Sequence, residues 1–138
     1  MVRTARIVAL VALALTAAAC RMPMADDGRI ATGTWGGDHI RVDVASTGAT
    51  TEYDCAHGTI DQPIVVDGSG RFSVSGTHTP EHGGPVRTDD PQDRHPARYD
   101  GRVVGDMMEL TVTVIDTGQR VGQFMLFFNH QARLLKCL

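Results

Sequence analysis

The chain of 138 residues has the length of one domain and is long enough to bury a core of its own. Its formal net charge of −3 at pH 7 argues against a nucleic acid partner, because binding to nucleic acid requires a basic surface. Lysine, glutamate and glutamine are scarce, whereas glycine and β-branched residues are abundant, and this composition favours strands and turns over helices.

The N-terminal segment has the organisation of an export signal. Arg3 and Arg6 form a short basic region, and residues 7–19 form an uncharged, largely apolar run that is too short to span a bilayer. The small residues directly before Cys20 resemble the lipobox of bacterial lipoproteins, in which the cysteine becomes the first mature residue and carries the lipid. The resemblance implies a signal peptide over residues 1–19 and a protein anchored in the cell envelope, in the periplasm or at the cell surface, through a lipid on Cys20. The alternative is an ordinary secretory signal with an incidental cysteine.

The chain has three cysteines, and an odd number in an exported protein leaves one thiol without a partner. If Cys20 carries a lipid, Cys55 and Cys137 remain, and we predict a disulfide between them in an oxidising compartment. The alternative is two separate buried thiols.

Residues 20–32 are predicted to be a polar tether, and alternation of apolar and polar side chains begins at Gly33. This period of two predicts strands around residues 40–44, 51–55, 72–76, 98–103 and 108–114. Residues 121–128 form a strand with few polar positions, buried on both sides or covering something, and residues 133–138 form a closing strand. An irregular strand is expected over residues 60–66 because Pro63 lies within it. Residues 77–97 contain four prolines and are predicted to be one long loop.

Seven or eight short strands joined mostly by tight turns predict an all-β domain over residues 33–138. Such a chain avoids exposed sheet edges by closing into a barrel or by stacking two sheets. We predict a small antiparallel meander barrel, with a sandwich as the alternative.

The start of this domain, Gly33-Thr34-Trp35, resembles the Gly-x-Trp motif with which lipocalins and avidins begin. In those barrels the tryptophan closes one end and a small ligand occupies the other. The alternative is a barrel that side chains fill completely, which eight strands allow. A wider pattern, including Asp54-Cys55-Ala56-His57-Gly58 and the ending Lys136-Cys137-Leu138, resembles a group of small exported bacterial proteins without an assigned activity.

Three histidines of the predicted loop, His78, His82 and His95, are the candidate ligand or metal site. Imidazoles beside carboxylates bind zinc or copper if the loop folds them together, but their spacing matches no known metal motif. An exposed proline-rich loop also collects such residues without any function. No catalytic motif is present in the sequence, and we predict no cofactor.

These features favour a binding or interaction module, attached to a membrane by its lipid, that recognises a small apolar ligand or another envelope protein. The alternatives are a structural envelope protein without a ligand and a metal-dependent enzyme that uses the loop histidines.

Overall fold

A computed structural model describes residues 27–82, 84–85 and 93–137 of the protein. The predicted signal peptide, Cys20 and the first part of the predicted tether lie outside the described residues. Within the described part, no helix is long and apolar enough to cross a membrane.

Eight strands follow one another in chain order, and each pairs antiparallel with the next. The first strand also pairs with the last, so the sheet is a closed barrel. The strands are β1 (Gly33–Gly37), β2 (Ile40–Ala45), β3 (Gly48–Tyr53), β4 (Ala56–Ile60), β5 (Arg71–Pro80), β6 (His95–Val104), β7 (Met107–Val114) and β8 (Arg120–Phe128). This topology confirms the predicted all-β class and the antiparallel meander barrel, and it excludes the sandwich.

The interior of the barrel is filled with side chains from alternate strand positions. Trp35 and Tyr99 are the largest fully buried side chains, and aliphatic residues and methionine pack around them. Large buried residues from β1, β2, β6, β7 and β8 therefore meet inside one barrel, as the interior volume of eight strands allows.

The end of the barrel at which β1 begins, here called the Trp35 end, is covered by two chain segments. Residues 28–31 and 64–66 bond to each other there: the Ile30 N–H donates to the Ile64 carbonyl at 3.1 Å, and the Val66 N–H donates to the Gly28 carbonyl at 3.0 Å. Beneath them the Trp35 ring lies 5.1 Å from the Phe128 ring, and its Nε1–H donates to the Ala31 carbonyl at 3.2 Å. The Trp35 end is therefore closed by protein.

The opposite end, here called the His95 end, carries the β1–β2, β3–β4 and β7–β8 connections and the start of β6. After β8 the chain returns to this end as an extended strap, residues 129–137, along the outside of β1. The Asn129 N–H donates to the Thr34 carbonyl at 2.8 Å, and the Arg133 N–H donates to the Gly37 carbonyl at 3.0 Å. The predicted closing strand over residues 133–138 is wrong, because the described part of the strap forms only an isolated parallel bridge, between Arg133 and Asp38.

The strap approaches β1 closely because Gly36 has no side chain. A Cβ atom at this position would lie 2.7 Å from the Ala132 nitrogen and 2.9 Å from the Gln131 carbonyl carbon, and both are backbone atoms. The glycine at position 36 thus allows the strap to pack closely onto the barrel.

Two other sequence predictions need correction. The long loop predicted over residues 77–97 is shorter, because β5 extends to Pro80 and β6 begins at His95. Pro80 is the last residue of β5 and Pro96 the second residue of β6, and strand ends are positions that tolerate proline. The irregular strand predicted over residues 60–66 is replaced by β4, which ends at Ile60, and by an isolated bridge between Val65 and Arg29.

Candidate functional site at the His95 end

Histidines and carboxylates collect at and near the His95 end, and they form short side-chain pairs. The turns after β1 and β3 place His39 and Asp54, and β4 places His57. Asp93 lies before β6, and Asp116 lies in the turn between β7 and β8. The pairs are His39 Nδ1 to Asp54 Oδ2 at 2.6 Å, His57 Nδ1 to Glu81 Oε1 at 3.0 Å, and His95 Nδ1 to Asp116 Oδ2 at 2.8 Å. Each pair joins residues that are far apart in sequence, so the fold and not a local motif creates this surface.

The strap contributes a cation to this surface. Lys136 Nζ lies 2.9 Å from Glu52 Oε1 and 3.6 Å from Glu81 Oε2, and it donates to the Tyr53 carbonyl at 3.0 Å. Partial burial of Lys136 works against its charged form, but the two carboxylates outweigh it and raise the pKa of Lys136. The end of the strap is therefore held by charge as well as by hydrogen bonds.

A disulfide fixes the same end of the strap. Cys55 and Cys137 lie at disulfide-bonding distance, with their Cα atoms 5.2 Å apart and a sequence separation of 82. The Asp54 carboxylate accepts a hydrogen bond from the Leu135 N–H at 2.7 Å, which is the main reason that the pKa of Asp54 is lowered. The structure thus supports the predicted pairing of Cys55 with Cys137.

His95 is held between two carboxylates. In addition to its contact with Asp116, its Nε2 lies 2.9 Å from Asp93 Oδ1. The hydrogen bond to Asp116 is the main cause of the raised pKa of His95, and the same bond lowers the pKa of Asp116. Both ring nitrogens of His95 are therefore engaged, and neither is directed at a free site.

His78 lies inside the barrel, on the interior face of β5. Its ring is 8% exposed and lies edge-on to the Tyr53 ring at 5.3 Å. Burial lowers the pKa of His78, and the neighbouring His95 and His57 lower it further. His78 is therefore neutral at pH 7, with one ring nitrogen that donates and one that accepts.

Two buried polar atoms near this end have no hydrogen-bond partner among the described residues. They are His78 Nδ1 and the hydroxyl of Tyr53, whose side chain is 5% exposed. Most buried polar groups in folded proteins have a partner, so each of these atoms marks a position where a water molecule or a ligand atom would be stabilised. Burial also raises the pKa of Tyr53, so its hydroxyl remains protonated and can donate.

Tyr99 shows the contrasting arrangement one layer deeper in the barrel. Its hydroxyl donates to the Thr77 carbonyl at 2.6 Å and lies 3.2 Å from Thr51 Oγ1. Gly58 makes room for this network, because a Cβ atom there would lie 2.7 Å from Thr51 Oγ1. The Tyr99 hydroxyl therefore has hydrogen-bond partners, whereas the Tyr53 hydroxyl lies near Tyr99 and Thr51 but meets neither of them in hydrogen-bonding geometry.

Of the three histidines predicted as a site, His78 and His95 lie opposite each other on β5 and β6, whereas His82 lies apart from them. His78 faces the interior, His95 is bound by carboxylates at the rim, and His82 is exposed beyond the end of β5. Across residues 27–82, 84–85 and 93–137, no group of three or more His, Cys, Asp or Glu side chains is arranged to hold a metal ion. No local sequence signal marks His39, Glu52, Tyr53 or Lys136 as site residues, because they meet their partners only in the folded barrel.

Grooves are found on the surface of the described part of the barrel. One, of about 510 Å³, lies at the Trp35 end between the covering segments and β2. Another, of about 560 Å³, lies between β8, the β1–β2 turn and the strap.

Comparison of the chain with known protein families, with curated proteins and with solved structures found no match. The function must therefore be argued from this site and this fold.

Proposed function

We propose that the chain is an exported cell-envelope protein, held to a membrane by a lipid on Cys20, whose barrel binds another protein with its outer surface. The observation that carries the anchor is the pairing of Cys55 with Cys137, because it leaves Cys20 as the cysteine without a disulfide partner. The uncharged run of residues 7–19 directly before Cys20 supports the same assignment.

The filled interior supports a surface-binding role over the transport of a large ligand. Trp35 and Tyr99 occupy the interior at different depths, and the chain segments around Ile30 and Ile64 cover the Trp35 end. A partner would therefore contact the outside of the barrel or the His95 end, where the histidine–carboxylate pairs provide a polar, titratable surface.

The anchor would also orient the barrel. Asp27 enters the described structure at the Trp35 end, and a tether from Cys20 to Asp27 spans at most about 25 Å when fully extended. A membrane anchor on Cys20 would thus keep the Trp35 end near the lipid surface and leave the His95 end free for a partner.

The anchor is tested by expressing the full chain in an exporting bacterial host fed with an alkyne-labelled fatty acid. We expect label on the wild-type protein and none on the Cys20→Ser variant, with both proteins exported. Label that persists in Cys20→Ser, or its absence from the wild type, would contradict the anchor.

The interaction function is tested by placing a photo-crosslinking amino acid at Thr117, at the His95 end, or at Ser69, at the Trp35 end. Both are exposed turn residues, so neither replacement disturbs the core. We expect one reproducible adduct from position 117 and none from position 69. The same adducts from both positions, or none from either, would contradict an interaction through the His95 end.

A second candidate function rests on the unpartnered Tyr53 hydroxyl and His78 Nδ1. A small ligand with hydrogen-bonding groups could satisfy these atoms at the His95 end of the interior. Native mass spectrometry of the full chain from an exporting host tests this: a retained small molecule that Tyr53→Phe releases supports it, and an unliganded mass in both proteins argues against it.

A further inference from the structure

The barrel closes over only part of its height. β1 pairs with β8 through three residue pairs, Trp35 with Phe128, Gly36 with Phe127 and Gly37 with Leu126, whereas β7 pairs with β8 along nearly its whole length. β8 begins at Arg120, and β1 turns away at Asp38. Among the described residues, the edge of β8 from Arg120 to Met125 therefore has no strand partner on the β1 side; we call this edge the seam.

The backbone of the seam presents hydrogen-bonding groups to this side. Phe128 N–H donates to the Asp106 carbonyl, which belongs to the β6–β7 turn, so the backbone of Phe128 faces β7. In an antiparallel ladder alternate residues face opposite neighbours, so Phe124 also faces β7 while Gln123 and Met125 face the seam. The Met125 carbonyl accordingly lies against Gly37 of β1. An added strand could therefore form hydrogen bonds with the N–H and carbonyl of Gln123 and with the N–H of Met125.

A groove of about 560 Å³ runs beside the seam. Phe124, Met125 and Phe127 give it an apolar wall, and His39, His130 and Arg133 line the facing side. Met125 is 43% exposed and Phe127 is 39% exposed, so the second face of β8 is open, and of the two predicted alternatives burial on both sides is wrong. An added strand would place alternate side chains against this wall.

An arginine lies at or near each end of the seam, on a chain whose net charge is negative. Arg120 begins β8 and makes no ion pair or side-chain hydrogen bond within the described structure. The Arg133 side chain is 86% exposed, and its only ion-pair contact in the described part is a long one of 3.9 Å to Asp38. These two guanidinium groups favour carboxylates at both ends of a bound segment.

From this geometry we infer that the seam binds an extended segment of a partner protein, with apolar residues at its centre and acidic residues at its ends, as an additional strand along Arg120–Met125. The six residues of the seam correspond to about 20 Å of strand, so the bound segment is about six residues long. Main-chain hydrogen bonds supply affinity, and the apolar wall and the two arginines supply specificity. This inference rests on the proposed interaction function and identifies the kind of partner.

The test uses the full chain, purified in detergent from an exporting host and labelled with ¹⁵N, and a synthetic heptapeptide of alternating valine and threonine with an aspartate at each end. A matched peptide has lysine at each end, and a third has its central amides N-methylated. We expect the acidic peptide to shift the amide signals of Gln123 and Met125 and to slow their hydrogen exchange. We expect it to bind about fivefold more tightly than the lysine peptide, and the N-methylated peptide to lose binding.

Variants make the test specific to the seam. Gln123→Pro removes a seam N–H without removing a bond to β7, and edge positions tolerate proline, so it should abolish binding. Arg120→Gln should weaken binding of the acidic peptide, whereas Arg102→Gln, an exposed arginine on β6, should not. The Arg120→Gln comparison keeps the inference testable if Gln123→Pro does not fold.

Equal binding of the acidic and lysine peptides, or shifts confined to other amides, would overturn the inference. Protection of Gln123 and Met125 that rises with protein concentration alone would overturn it as well, because a second copy of the chain would then occupy the seam. If no peptide binds but position 117 still gives its crosslink, the seam fails while the proposed interaction function stands.

Discussion

Replacing Tyr99 by phenylalanine should destabilise the barrel, whereas the same replacement at Tyr53 should not. Tyr99 loses a hydrogen bond of 2.6 Å to the Thr77 carbonyl and a contact of 3.2 Å with the Thr51 hydroxyl, and both partner groups are then left without it in the interior. The cost of leaving buried groups unpaired is about 1–3 kcal/mol. Tyr53→Phe removes a hydroxyl that has no partner among the described residues, so its effect should lie between no change and about 1 kcal/mol of added stability.

The two variants are matched, because each removes one hydroxyl from a buried tyrosine of the same barrel and leaves the ring in place. Urea unfolding of the full chain with the disulfide intact, at one pH and with equal m-values, gives the difference in the free energy of unfolding. A loss at Tyr53 as large as that at Tyr99 would show that the Tyr53 hydroxyl has a partner in solution. In that case the reasoning that treats Tyr53 and His78 as unsatisfied would be wrong.

Three further predictions concern the strap and the rim. Reduction of the disulfide, which spans 82 residues, should lower the free energy of unfolding by about 4.5 kcal/mol in the chain-entropy treatment, and an unchanged urea midpoint would refute this. Gly36→Ala should cost about 1–3 kcal/mol because its Cβ would displace the backbone of the strap, whereas Gly68→Ala, which meets open space, should change stability by less than about 1 kcal/mol. Asp116→Asn should lower the pKa of His95 in an NMR titration. Because the pKa of His95 is raised in the folded state, its protonation stabilises the fold below about pH 6.5, and this stabilisation is lost as the pH rises through the folded-state pKa. Asp116→Asn should therefore reduce the stability of the fold on the acidic side only. Equal losses at pH 5 and pH 9 would contradict that assignment.

The fold class was predictable because its signals are local. Alternating side chains mark β2, β3, β6 and β7, and turn residues such as Gly105 and Gly118, which adopt positive φ angles, separate successive strands. The predictions failed where a local signal has two meanings. Proline at positions 80 and 96 indicated a loop, but both residues lie at strand ends, where a missing ladder hydrogen bond is tolerated.

The strap was mispredicted for a different reason. Its extended conformation resembles a strand in sequence, but whether it enters the sheet depends on whether an edge is free when it arrives. β8 already pairs with β1 at Gly36 and Gly37, so the strap joins β1 only through an isolated bridge at Asp38, and the disulfide and Lys136 hold its end. The ion pairs at the His95 end could not be predicted from the sequence either. His39 meets Asp54, and Lys136 meets Glu52, only after the barrel has closed.

The seam results from a difference in length between β1 and β8, and the sequence alone does not reveal its consequence. β1 is five residues long and ends at the turn that contains His39, whose φ of 68° directs the chain into β2, whereas β8 is nine residues long. In a meander these two strands are the first and the last, so closure is limited by the shorter one, and the excess length of β8 is left as an edge at the His95 end. An exposed edge usually promotes uncontrolled pairing, and proteins normally cover or shorten it. Here the edge is instead bordered by an apolar wall and two arginines, an arrangement that selects among extended segments by side-chain pattern and charge.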